Sequence, residues 1–102
     1  MVHDLGDFMA ERSSFDKKLV AIGMLLVEKR KALGASYGSR ERFIEERSNE
    51  IFGGQPWISC RHLANLEAGK NWMSVEMLIK QAYALELDPK ELFEEILRIY
   101  NN

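Results

Sequence analysis

The run Ile58-Ser59-Cys60-Arg61-His62-Leu63-Ala64-Asn65-Leu66-Glu67-Ala68-Gly69-Lys70-Asn71 gathers the side chains with the most chemistry to offer. Ser59 can cap a helix, Ile58 and Leu63 are spaced as a hydrophobic staple, and Gly69 stops the helix beside Lys70. A short helix with a narrow apolar face is suited to being held out and pushed into something else, and a DNA major groove is one such target. Catalysis has no comparable foothold. Cys60 is the sole cysteine, and His3 and His62 are far apart. The carboxylates form no cluster at metal spacing, and neither a glycine-rich phosphate loop nor a nucleophile elbow occurs. No enzyme, metal site or cofactor is expected.

The elements that must position this run read as helices throughout. Residues 4–11 predict a short helix with Leu5, Phe8 and Met9 on one side. Ser13 and Ser14 offer caps, with Asp16 in the first turn of a helix over about 15–33. There Leu19, Ile22, Leu26, Arg30 and Leu33 recur at helical spacing, and Gly34 suits the C′ position. After a loop at 35–38, Ser39 caps a helix over about 40–52 with Phe43, Ile44, Arg47 and Ile51 on one face. Gly53-Gly54-Gln55-Pro56 breaks it. Ser74 caps a helix over about 75–86 with Leu78, Ala82 and Leu85 inward. Asp88-Pro89-Lys90-Glu91 opens the last one, 89–100, which presents Leu92, Phe93, Ile96, Leu97 and Tyr100. The expected fold class is all-α.

Its 102 residues suffice for one compact domain. Residues 1–16 read as an N-terminal extension and 17–102 as the domain. The longest apolar run, Leu19–Val27, is too short to span a bilayer, and Asp4 and Asp7 stand where a signal peptide would be positive. A cytoplasmic protein is therefore expected. The net charge of −2 speaks against nucleic acid, but its distribution does not. Residues 17–47 carry +4, whereas 1–16 and 85–102 carry −3 each.

The segment Ile58–Phe93 resembles the Cro/repressor-type helix-turn-helix domain, the XRE family. The likeness rests on Ile58-Ser59, Leu63, Asn65 to Lys70, Ser74 to Leu78, Ala82 to Leu85 and Asp88 to Phe93. Gly23 and Arg30 through Gly34 match the family's first helix, so the resemblance covers about residues 19–97. It implies a compact five-helix, repressor-like domain whose third helix enters the major groove. By position, base contacts fall on Ser59, Cys60, Arg61 and Asn65. Arg61 can bridge O6 and N7 of guanine and Asn65 can pair with adenine, whereas the Cys60 thiol donates weakly. Backbone contacts fall on Ser39, Arg40, Lys70 and Asn71. Arg30 and Glu67 match a structural ion pair. Phe93, Ile96, Leu97 and Tyr100 match a helix that often forms the dimer contact. Double-stranded DNA and a second copy are the implied partners.

One departure stands out. The chain from Phe43 to Ile58 is longer than the family's turn, so extra residues lie around 46–57. Either the second helix is extended, or an added turn carries Gly53 to Trp57. Trp57 and Trp72 flank the recognition element; they cover its apolar edge or pack on sugar-phosphate. Cys60 reads as a small semi-buried hydrophobe, a base reader or a redox sensor. A different function on the same fold is a protein-interaction module, such as an antitoxin. Residues 1–16 and the insertion would then face the protein partner, a toxin. A fold that has lost DNA binding would also suit the negative charge and Cys60.

Overall fold

Each helix begins at a side chain that takes up its first free backbone N–H groups. In the computed structural model, which describes residues 16–102, Asp16 accepts from the amides of Lys18 and Leu19 at 3.0 and 3.2 Å and caps α1, Lys17–Lys31. Ser39, Ser59, Ser74 and Asp88 do the same for α2 (Arg40–Glu50), α3 (Cys60–Glu67), α4 (Val75–Ala84) and α5 (Pro89–Tyr100). Asp16 is thus the cap of the first helix and not a first-turn residue. That helix also ends earlier than its periodicity predicts, and residues 35–38 form a turn of 3-10 helix. The helix expected over 4–11, Ser13 and Ser14 lie outside the described residues.

The described chain is all-α, with five helices around one core. Leu26 of α1, Phe43 of α2, Leu63 and Leu66 of α3, Ala82 of α4 and Leu92 of α5 meet there. α3 packs on α1 and α2, while α5 closes over α4 and α1. No described helix is long and apolar enough to cross a membrane.

Between α2 and α3 the chain makes an added turn; α2 is not prolonged through it. The Gly54 amide returns to the Ser48 carbonyl at 2.8 Å, with Gly53 and Gly54 at φ of 72° and 86°. Such angles clash with a side chain and suit glycine. Phe52 stacks on Trp57 at 5.2 Å, and the Trp57 ring meets Phe43 edge-on at 5.7 Å. Trp57 is therefore buried in the core, out of reach of a sugar-phosphate backbone. Ile51, expected on the inner face of α2, is outside it because the helix stops one residue before.

Candidate nucleic-acid interface

α3 has one face in the core and one in solvent. Leu63, Leu66 and Glu67 are its buried residues. At about 100° per residue, the opposite face carries Arg61, Asn65 and Ala68. Arg61 and Ala68 are exposed and Asn65 is half-buried. Past the last turn, the Gly69 amide bonds to the Leu66 carbonyl at 3.1 Å and the Lys70 amide to the Asn65 carbonyl at 2.9 Å. This Schellman ending, with Gly69 at φ 75°, leaves the Lys70 and Asn71 side chains exposed beside the helix terminus.

Two glycines let α1 approach α3 to backbone contact. A Cβ on Gly23 would stand 2.4 Å from the Glu67 carbonyl oxygen, and one on Gly69 would stand 2.5 Å from the Val20 Cα. Next to this contact the Glu67 carboxylate takes the Arg30 guanidinium in a two-point grip. Nε reaches Oε2 at 2.8 Å and Nη2 reaches Oε1 at 2.9 Å. The remaining Arg30 nitrogen, Nη1, donates to the carbonyls of Tyr37 and Gly38 at 2.7 and 2.9 Å. One buried arginine thereby ties α1, the turn before α2 and the end of α3 together.

The residues expected at the base edges divide into two kinds. Arg61 and Asn65 lie on the free face. Ser59 is occupied as the cap, accepting from the His62 amide at 3.0 Å. Cys60 turns toward α2, its Sγ 3.5 Å from Glu41 Oε2. Burial and the Glu41 contact push the thiol above its ordinary pKa. Glu41 itself is held below the usual carboxylate range, first by its own backbone amide, then by Ser39 and Cys60. Glu41, Glu45, Asn49, Ile44, Pro56 and Cys60 line a cleft of about 430 Å³ between α2 and the added turn. This acidic lip adjoins the start of α3.

Comparison with protein-family models, with curated proteins and with solved structures finds no match for this chain.

The expected backbone contacts are likewise split. Lys70, Asn71 and Arg40 offer donors at the surface, but the Ser39 hydroxyl is committed to its own helix, accepting from the Arg42 amide and donating to Glu41. Arg40 also does something its sequence position does not announce: its Nε donates to Glu67 Oε1 at 2.7 Å. A second buried arginine, Arg47, reaches Glu50 and Glu86 at 2.9 and 2.7 Å and lies over the Tyr37 ring. Its place on the inner face of α2 was legible from helical spacing; its partners were not. On α5, Ile96 belongs to the core of the single chain, unlike the rest of the stripe expected to form a dimer contact, of which Phe93, Leu97 and Tyr100 are exposed. Trp72 packs edge-on against Tyr100 at 6.0 Å, so it covers an apolar edge.

The arrangement presents hydrogen-bond donors and acceptors on a rigidly held helix. Among the described residues no group of three or more His, Cys, Asp or Glu side chains could hold a metal ion.

Proposed function

We propose that this protein is a sequence-specific DNA-binding transcriptional regulator of the Cro/repressor type, acting as a homodimer on a two-fold symmetric operator. The observation that carries the reading is the outward pairing of Arg61 and Asn65 on a helix whose opposite face is locked to α1. A guanidinium fork and a carboxamide one helical turn apart suit guanine and adenine edges. Lys70, Asn71 and Arg40 add phosphate-binding donors, and half-sites would lie about one turn of DNA apart. Affinity rests on the basic side chains and weakens steeply with salt, because each phosphate they neutralise releases counterions, while Glu41 and Glu45 oppose the approach of phosphate.

Selection of duplexes from a random pool at two salt concentrations tests this. A symmetric motif, lost on Arg61→Ala or Asn65→Ala, is the expected result. Unselective binding, or a motif indifferent to both substitutions, overturns it.

A second reading, a protein-interaction module such as an antitoxin, draws on a separate observation. Val75, Ile79 and Tyr83 run along the outside of α4 at one-turn spacing, with Val75 77% exposed. An apolar stripe of this kind suits a protein partner. Co-purification with the product of an adjacent reading frame, without a selected DNA motif, would favour it.

A further inference from the structure

We infer that Glu67 is a positioning residue for a phosphate contact made by Arg40, an inference that rests on the DNA-binding reading. Glu67 serves two guanidiniums with one carboxylate. Arg30 takes both of its oxygens, and Arg40 adds a third hydrogen bond to Oε1. The three charges leave one positive charge in excess where α1, α2 and α3 meet. Arg30 spends that joint's inward-facing donors: its Nη1 is taken by two carbonyls, and its side chain is 3% exposed. Arg40 is different. Its side chain is 41% exposed, and among the described residues it is engaged through Nε alone. A guanidinium held by Nε keeps its two terminal nitrogens free in a fixed fork, the geometry that grips phosphate at two points.

The excess charge therefore sits at the opening of α2, pre-ordered by a carboxylate that belongs to the last turn of α3. The same carboxylate fixes the presentation of Arg61 and Asn65 from within. Base reading and backbone gripping are thus tied to one buried group, and a DNA strand that seats on Arg40 is registered against α3 through Glu67.

The test measures binding of wild type, Arg40→Ala and Arg40→Lys to one selected duplex across a salt series, with thermal unfolding of each protein alongside. Each phosphate neutralised contributes about 0.9 to the slope of log affinity against log salt. Arg40→Ala is expected to make the slope shallower by about that amount. Arg40→Lys is expected to do the same, because one ammonium can sit on the buried carboxylate or on phosphate but not on both. A slope unchanged in Arg40→Ala overturns the phosphate contact and leaves Arg40 a structural residue. A slope lost in Arg40→Ala but kept in Arg40→Lys overturns the positioning by Glu67. If wild type binds no duplex with salt dependence, the DNA reading falls and this inference falls with it. Both variants keep the Arg30–Glu67 pair, so folding is preserved for the comparison.

Discussion

Arg30 and Glu67 face each other across the α1–α3 contact through two parallel hydrogen bonds of 2.8 and 2.9 Å, with 3% and 1% of their side chains exposed. Removing Glu67 strands the buried Arg30 guanidinium, whereas removing Arg30 leaves Glu67 its second partner, Arg40. Glu67→Ala is expected to destabilise the fold by about 3–5 kcal/mol. Arg30→Met combined with Glu67→Leu removes both buried charges and leaves without its partner only Arg40, which reaches solvent; it is expected to lose less than Glu67→Ala alone. Urea unfolding of the three proteins checks this. Unchanged stability in Glu67→Ala would mean that the pair does not hold the helices together.

The approach of α1 to α3 gives a sharper expectation at Gly23. Its missing Cβ would fall 2.4 Å from one backbone oxygen of α3 and 2.8 Å from another. Backbone of two helices cannot yield as a flexible side chain can, so Gly23→Ala should cost at least about 1–3 kcal/mol despite alanine's better helix propensity. Gly69→Ala adds a left-handed φ of 75° to a similar clash and should cost more. Gly38, where an added Cβ meets nothing within 4 Å and φ is not left-handed, serves as the control. Denaturant midpoints that rank the three equally would contradict the close approach.

Much of this architecture is written in local signals. Ser39, Ser59, Ser74 and Asp88 each cap the helix their position announces, because an N-cap is decided by a residue and the amides just after it. Phe43, Leu63, Ala82 and Leu92 are buried where periodicity puts them. What sequence could not supply depends on how helices cross. Arg40 and Glu67 lie 27 residues apart, and their meeting requires the angle between α2 and α3. The added turn was legible as an interruption, but burial of Trp57 required Phe52 to stack on it. The α5 stripe is broader than one face, so Ile96 and Phe93 look alike in sequence and lie on different sides of the surface.

For base recognition the expected outcome is positional. Arg61→Ala should weaken binding to a selected duplex by about 1–3 kcal/mol and relax preference at one guanine, as should Asn65→Ala at one adenine. Lys70→Ala should instead weaken binding to all duplexes alike. Competition binding against single-position duplex variants separates the two patterns. Uniform loss in every case would place α3 outside the groove.

Cys60 offers a chemical readout of the α2–α3 joint. Burial first, and Glu41 second, push its thiol pKa up. The thiolate is the reactive form, so alkylation by iodoacetamide should be slower at pH 8 than for a short cysteine peptide, with its pH midpoint displaced upward. Glu41→Gln removes the nearby negative charge. It should bring the midpoint part of the way back, with burial holding the remainder. A midpoint equal to the peptide's in wild type, or no movement in Glu41→Gln, would show that the thiol does not face that carboxylate.

On α5, one helical stripe should give two different phenotypes. Ile96 is 7% exposed and Leu97 38%. Ile96→Ala opens a cavity in the core and is expected to cost about 2–5 kcal/mol in unfolding experiments. Leu97→Glu places a charge where the side chain already meets solvent, so the isolated chain keeps its melting temperature. A dimer built on Phe93, Leu97 and Tyr100 would bury that charge without a partner, and sedimentation should show the variant as monomer at concentrations where wild type is dimeric. Affinity for a two-fold symmetric duplex should then fall, since each half-site is bound alone, while affinity for a single half-site stays the same. A Leu97→Glu protein that remains dimeric assigns the contact elsewhere, with the Val75, Ile79 and Tyr83 stripe on α4 the next surface to substitute.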